Sequence, residues 1–159
     1  MSVSIIELFQ LSDLVDDARN FIKFAHRGQM YGDMEYWHHP VQVADTVEDA
    51  TVEEYVAALL HDVVEDTAWG NDIDGLRKRF GDEVMDMVLL LSKDTNLTYR
   101  GNIQRIIDSG NVGAMKVKLA DNRVNIAGDK SHMDPDRRDR LQARYAMSIN
   151  MLEEALSTQ

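Results

Sequence analysis

The apolar residues between Val52 and Val64 recur with the period of an α-helix, and this rhythm constrains the fold more than any other feature of the sequence. They stand at positions 52, 55, 56, 59, 60, 63 and 64, so successive turns place them on one side of a helix. Thr51 followed by Glu54 has the spacing of a capping box, which indicates where that helix begins. The sequence therefore predicts an amphipathic helix from residue 51 through residue 64.

Further helices are predicted along the rest of the chain, separated by short polar segments. Only two prolines occur, which favours helices because proline interrupts them. Gly81, Gly110 and Gly128 fall where helix ends are expected. The other predicted helices span residues 5–26, 40–49, 73–80, 82–93, 98–108, 112–127 and 135–156, and residues 27–38 are predicted to form a loop. We therefore expect an all-α helical bundle that forms a single domain over residues 1–159.

Composition excludes several classes of function. The chain has no cysteine, which excludes disulfide scaffolds, thiolate metal sites and cysteine nucleophiles. It has 17 basic and 28 acidic residues, and the net charge of −11 repels nucleic acids and anionic lipids. No apolar run is long enough to span a membrane, and the first residues lack the pattern of a signal peptide. We expect a cytoplasmic protein that binds neither nucleic acid nor membrane.

Two neighbouring residues in the predicted helix, His61 and Asp62, could carry chemistry. Glu65 and Asp66 follow one turn later, so imidazole and carboxylate groups are concentrated on part of this helix. Such groups can ligate a metal ion and position water, but a solvated acidic face with an incidental histidine would look the same. His39 upstream and the distant Asp121 are candidates for further ligands, although a lone aspartate is more commonly a surface residue.

Five segments of the chain resemble, in the same order, those of the HD-domain phosphohydrolases. Within that family the resemblance is to the RelA/SpoT-type (p)ppGpp hydrolases, including their small stand-alone forms. The segments are AHRGQ (25–29), YWHHPVQVA (36–44), AALLHDVVEDT (57–67), FG..V (80–84) and VKLADNRVN (117–125). This combination is far more specific than a lone His-Asp pair, and it implies that the helical bundle is an HD domain.

The resemblance implies a metal-dependent guanosine-3′,5′-bis(diphosphate) 3′-pyrophosphohydrolase acting on a small nucleotide. It implies a divalent metal, with Mn expected first and Fe or Zn as alternatives. His38, next to the implied ligand His39, is not expected to be a ligand. The resemblance implies the metal ligands His39, His61, Asp62 and Asp121, the catalytic acidic pair Glu65 and Asp66, and Asn125 as a residue that holds the nucleotide.

The substrate contacts are less clearly indicated than the metal ligands. Residues 114–130 carry a net charge of +2, from four basic and two acidic residues, within an acidic protein. Lys118, Asn122 and Arg123 in this stretch are candidates for substrate binding, as is Tyr31. Tyr31 stands where the family usually has a basic residue, and Asn122 stands where it commonly has arginine. Both departures concern the choice of nucleotide and leave the implied metal ligands intact.

Two other functions remain open at this point. An HD-type nucleotidase or phosphatase acting on another small nucleotide, such as a deoxynucleotide or an NADPH-like molecule, is consistent with the changed position at Tyr31. A catalytically silent module that senses an alarmone is the alternative from another class. Degenerate domains of that kind lose ligands, whereas this chain keeps all four together with Glu65 and Asp66. The sequence therefore favours an enzyme.

Overall fold

Helices joined by short turns make up most of the computed structural model, which describes residues 4–159. The all-α prediction is confirmed, with one short hairpin added. In chain order the elements are α1 (Ile5–Ala25), β1 (Met30–Tyr31), β2 (Met34–Glu35), α2 (His38–Thr46), α3 (Val52–Leu60), α4 (Val63–Asp66), a 3₁₀ turn (Ala68–Asn71), α5 (Ile73–Phe80), α6 (Asp82–Leu91), α7 (Tyr99–Asp108), α8 (Val112–Ala127) and α9 (Pro135–Ser157).

The helix predicted over residues 51–64 is interrupted at residues 61 and 62, so that prediction was wrong near its C-terminal end. α3 ends at Leu60, and α4 begins at Val63. At the junction, the backbone N–H of His61 bonds three residues back to the carbonyl of Ala58, and the ring Nδ1 of His61 lies 2.7 Å from the same oxygen. Val63 is still buried, so the apolar rhythm continues across the break and does not reveal it.

The predicted loop over residues 27–38 is also more ordered than expected. β1 and β2 pair antiparallel through Met30 with Glu35 and Tyr31 with Met34. Gly32, in the two-residue turn between them, has a φ of 60°, a conformation that costs glycine little. α2 then begins at His38, two residues before the predicted start at Pro40, and ends at Thr46. The loop is therefore a small hairpin that leads directly into α2.

α3 forms the centre of the core. Its residues from Val56 to Leu60 are at most 1% exposed, which means that the helix is covered on every side. α1, α2, α6 and α8 pack around it, and α9 lies along α8. This packing holds the start of α2, the end of α3 and the middle of α8 against one another. Among the helices of residues 4–159, none combines the length and apolar character needed to cross a membrane.

Candidate metal centre

Two histidines and an aspartate from three different helices meet in a buried cluster. Nε2 of His39, at the start of α2, lies 3.3 Å from Oδ1 of Asp121 in α8. Nε2 of His61, at the end of α3, lies 3.6 Å from the same oxygen. Each of the three residues is at most 5% exposed, and their donor atoms all lie within 4.8 Å of one another. Such a group could hold a metal ion.

Asp62 adjoins this cluster at the junction of α3 and α4. There Oδ2 of Asp62 lies 2.9 Å from Nε2 of His61. The structure thus brings together the four residues for which metal ligation was predicted. The sequence analysis missed the interruption of the helix at this point.

The donor set of the cluster fits a divalent metal ion. Nδ1 of His61 donates to the carbonyl of Ala58, which turns Nε2 toward the cluster and fixes the ring as in metal-ligating histidines. That buried Nε2 has no well-aligned hydrogen bond among the described residues, although Asp62 is close. Two carboxylates buried near each other require a compensating positive charge. Imidazole nitrogen combined with carboxylate oxygen suits Mn, Fe or Zn.

Asp121 is held in place by two neighbours on its own helix. Nζ of Lys118 donates to Oδ2 at 2.9 Å, and Nδ2 of Asn125 donates to Oδ1 at 2.9 Å. Burial by itself would raise the pKa of Asp121, but the ammonium of Lys118 and the two histidines hold that pKa well below its usual range. Asp121 in turn raises the pKa of Lys118, against the effect of burial. Asp121 is therefore an oriented carboxylate that stays ionised despite burial.

Tyr36 and His26 support the cluster from behind, and the sequence analysis gave neither a role. The hydroxyl of Tyr36 donates to Oδ2 of Asp62. The ring of His26 lies 4.7 Å from that of Tyr36, and its Nδ1 lies 2.9 Å from the side-chain oxygen of Gln29. Both residues belong to segments that carried the resemblance, AHRGQ and YWHHPVQVA. Their positions in these two segments were the signal from which a role at the site could have been predicted.

The acidic pair lies on α4, beside the cluster and more exposed than it. The carboxylate of Glu65 accepts a hydrogen bond from the backbone N–H of Lys93. Gln29 donates to the carbonyl of Asp66 at 2.8 Å, which ties α4 to the segment before the hairpin. Burial raises the pKa of Glu65, and burial together with the charge of Asp62 raises that of Asp66. Both carboxyls therefore hold a proton more readily than exposed ones do.

Two cavities flank the cluster. A groove of about 1010 Å³ is lined by Tyr31 and Asn125, and the ring of Tyr31 lies 4.8 Å from that of His39. A smaller cavity of about 360 Å³ is lined by Glu65, Lys118 and, from α9, Arg144. Four of the predicted site residues thus line one or the other of these two cavities. Arg144 is a further basic residue that lines this cavity, from the basic cluster of the last helix.

The structure does not bring the side chains of Asn122 and Arg123, two of the predicted substrate-binding residues, to the cluster. The side chain of Asn122 is fully buried, donates to the hydroxyl of Ser148 and accepts from that of Tyr99 at 2.9 Å. Arg123 pairs with Glu48 at 2.9 Å and Glu153 at 3.0 Å and lines a separate depression. The reason is geometric, because each step along α8 rotates the side chain by about 100° away from the direction of Asp121.

Comparison with known proteins agrees with this arrangement. Residues 18–108 match a family model described as HD domain. A curated protein from Haemophilus influenzae, guanosine-3′,5′-bis(diphosphate) 3′-pyrophosphohydrolase, is 32% identical over 129 residues, which cover 74% of this chain and 19% of that protein. A solved structure, described as a metazoan orthologue of SpoT that hydrolyses ppGpp, has the same fold, with a TM-score of 0.69 and 22% identity over 99% of this chain and 95% of its own. The resemblance drawn from the five segments is confirmed.

Proposed function

We propose, from the premise that this chain belongs to the HD domain family, that it is a metal-dependent phosphohydrolase that removes pyrophosphate from the 3′ position of guanosine-3′,5′-bis(diphosphate). The observation that carries this proposal is the buried cluster of His39, His61, Asp62 and Asp121 with an acidic pair beside it. The relative from Haemophilus influenzae is named for this activity. This chain spans only 19% of that relative, so the activity is proposed here on the strength of its own site.

The four cluster residues would hold the metal, and Mn is the ion we expect. Two carboxylates beside two imidazoles form a mixed oxygen and nitrogen set, which suits Mn, with Fe or Zn as alternatives. A divalent cation bound there supplies Lewis acidity toward a phosphoryl oxygen and makes water a stronger acid. Tyr36, Lys118 and Asn125 fix the two carboxylates by hydrogen bonds, so the site is organised by the chain before any ligand binds.

Glu65 is the residue we assign to proton transfer. Its pKa is raised by burial, which brings the carboxylate closer to the pKa of an efficient general base at neutral pH. As a water oxygen bonds to the phosphorus attached to the 3′ oxygen, Glu65 accepts a proton from that water. The bond between phosphorus and the 3′ oxygen breaks, and a proton returns to the 3′ oxygen of the nucleoside. Asp66 would orient the water.

The smaller cavity suits the departing diphosphate. Lys118 and Arg144 line it, and a cation there offsets the negative charge that accumulates on phosphoryl oxygens during transfer. Glu65 lines the same cavity, so the base and the cations face a common space. The larger groove, which Tyr31 and Asn125 line, then remains for the nucleoside. This division supports pyrophosphate, rather than single phosphate, as the product.

Two adjacent histidines offer a matched test. His39→Ala removes a cluster nitrogen, whereas His38→Ala removes a ring that is stacked on Trp37, with ring centres 3.7 Å apart. We expect His39→Ala to lose both bound metal and hydrolysis of ppGpp while remaining folded by circular dichroism. His38→Ala should keep both. Normal metal content and turnover in His39→Ala would refute the assignment of the cluster.

A second candidate function is hydrolysis of another small nucleotide, such as a deoxynucleotide or an NADPH-like molecule. The observation that favours it is the hairpin at Met30–Glu35, which lines the groove without any basic residue. Tyr31 can stack on a base there, but stacking tolerates different bases, whereas a guanidinium adds directed hydrogen bonds. Equal turnover of ordinary nucleotides and ppGpp in the presence of Mn would favour this second function.

A further inference from the structure

The larger groove carries more negative than positive charge. It is lined by three aspartates, Asp33, Asp45 and Asp129. Lys130 is the one lysine or arginine among the described residues that line this groove. The carboxylate of Asp45 accepts a hydrogen bond from Tyr55 at 2.7 Å, and Arg19 donates to that tyrosine at 2.6 Å, so Asp45 has cationic company. Asp33 and Asp129 are exposed on the groove. They are the carboxylates that a ligand would meet.

Lys130 offsets these carboxylates only in part, because one ammonium group faces three carboxylates in this groove. It is 8% exposed, and Nζ donates to the carbonyls of Asn125, Ile126 and Gly128 at the end of α8. An ammonium has three donors, and here each has a backbone partner. Burial also lowers the pKa of Lys130. Lys130 therefore satisfies the end of a helix and balances at most one carboxylate, so the groove keeps a net negative charge.

The smaller cavity has the opposite charge. Lys93, Lys118 and Arg144 line it against the carboxylate of Glu65. Asp121 balances Lys118 at 2.9 Å, so Lys93 and Arg144 supply the excess positive charge. Asp121 joins the two spaces, since it accepts hydrogen bonds from Lys118 on one side and from Asn125, which lines the groove, on the other. A substrate that spans the cluster therefore has its anionic leaving group in a basic cavity and its remaining part in an acidic groove.

We infer that this enzyme selects its substrate by the charge at the 5′ end, preferring guanosine 3′-diphosphates with fewer 5′ phosphates. This inference rests on the proposed function, which places the 3′-diphosphate at the cluster. Each additional 5′ phosphate brings negative charge into the groove that holds Asp33 and Asp129. Like charges several ångströms apart at a wetted surface repel enough to change binding by roughly two- to fivefold. Added salt screens that repulsion.

The test compares three substrates that differ only in the 5′ group: pGpp, ppGpp and pppGpp. With Mn supplied and at low ionic strength, kcat/KM is expected to fall in that order, with the loss appearing mainly in KM. At high salt the three values should converge. Equal values at low salt, or values that rise with the number of 5′ phosphates, would overturn the inference while leaving pyrophosphate release intact. Release of pyrophosphate from none of the three would overturn the proposed function, and this inference with it.

Neutralising the two groove carboxylates separates this effect from the overall charge of the protein. Asp33→Asn and Asp129→Asn together should reduce the ratio of kcat/KM between pGpp and pppGpp toward one. Asp74→Asn is the matched control, because Asp74 is exposed on α5 and lines neither cavity. It should leave the ratio unchanged. If the groove variants change the ratio no more than Asp74→Asn does, the groove does not select by charge.

Discussion

Asp62 shows how one side chain depends on its neighbours for its position in the candidate metal centre. One of its oxygens, Oδ2, receives the hydroxyl of Tyr36 and lies 2.9 Å from Nε2 of His61. Burial would raise its pKa, but the nearby charge of His61 and the hydrogen bond from Tyr36 keep the pKa of Asp62 below its ordinary value. The carboxylate is therefore ionised and directed into the cluster, as a metal ligand must be.

Tyr36→Phe should weaken metal binding without unfolding the chain. It removes the hydroxyl that orients Asp62 and leaves the ring against His26. Partners of metal ligands typically contribute about 10–100-fold in metal affinity, and we expect a loss of that order by isothermal titration. Tyr31→Phe is the control, because Tyr31 contacts His39 through its ring, which phenylalanine keeps. Unchanged affinity in Tyr36→Phe would show that this hydrogen bond does not position Asp62.

Glu65→Gln should separate catalysis from metal binding. Glutamine keeps the shape of the side chain but cannot accept a proton, and Glu65 lies outside the cluster of close donor atoms. A general base contributes about 10²–10⁴-fold, so kcat should fall by that much. Metal content, measured by atomic emission, should stay at the wild-type level. A near-normal rate in Glu65→Gln would remove Glu65 from the mechanism.

Among the elements, α3 depends on its first turn more than α1 does. Thr51 and Glu54 cap α3 reciprocally, each through a hydrogen bond of 3.1 Å, and Glu54 also pairs with Lys116 of α8 at 2.6 Å. Ser4 and Glu7 cap α1 in the same way. The first turns of α1 project from the core, however, as the 73% exposure of Ile5 indicates.

Thr51→Ala should therefore destabilise the protein, and Ser4→Ala should not. Loss of a cap costs about 1 kcal/mol. For a chain of this size that lowers Tm by roughly 2–4 °C. Ser4→Ala removes a chemically similar cap from a turn whose fraying is not coupled to the core, so its Tm should match the wild type. Thermal unfolding by circular dichroism measures both, and equal shifts would contradict this account of α1 and α3.

The elements also show what a sequence can and cannot predict. α5 and α8 begin and end where expected, because Asp72 and Asn111 cap their first turns and Gly81 and Gly128 follow their last. The break at residues 61 and 62 was not predictable from periodicity, since the buried Val63 continues the apolar pattern. Asn122 was expected at the site because it is four residues from Lys118. Its hydrogen-bond partner Ser148 lies on α9. The side of α8 that α9 covers depends on tertiary packing, which the sequence pattern does not reveal.

At the scale of the whole molecule, the candidate metal centre connects three parts of the core. His39, His61 and Asp121 come from α2, α3 and α8, all of which pack on one another. The helices were predictable from sequence pattern, and the resemblance supplied these residues as candidate ligands. The supporting hydrogen bonds and the two oppositely charged cavities could be identified only from the folded structure. A metal ion bound at this junction stabilises the folded state, since the unfolded chain has no such site.

Removal of the metal should therefore lower Tm, and its return should restore it. At a free metal concentration of about 100 times Kd, binding contributes roughly 2.7 kcal/mol to the free energy of unfolding. Thermal unfolding of metal-loaded, chelator-treated and reloaded protein measures this effect. His39→Ala, which loses a cluster nitrogen, should show no difference between the three states. A shift of equal size in His39→Ala would place the stabilising ion elsewhere.

The products formed from ppGpp test the central claim most directly. The purified chain, loaded with Mn and incubated with ppGpp, should release GDP and pyrophosphate in equal amounts, as resolved by ³¹P nuclear magnetic resonance. The same protein treated with chelator should release neither. Pyrophosphate is the expected product because the proposed base Glu65 and the cations of Lys118 and Arg144 line one cavity beside the candidate metal centre. Release of inorganic phosphate alone, or no release with Mn present, would contradict it.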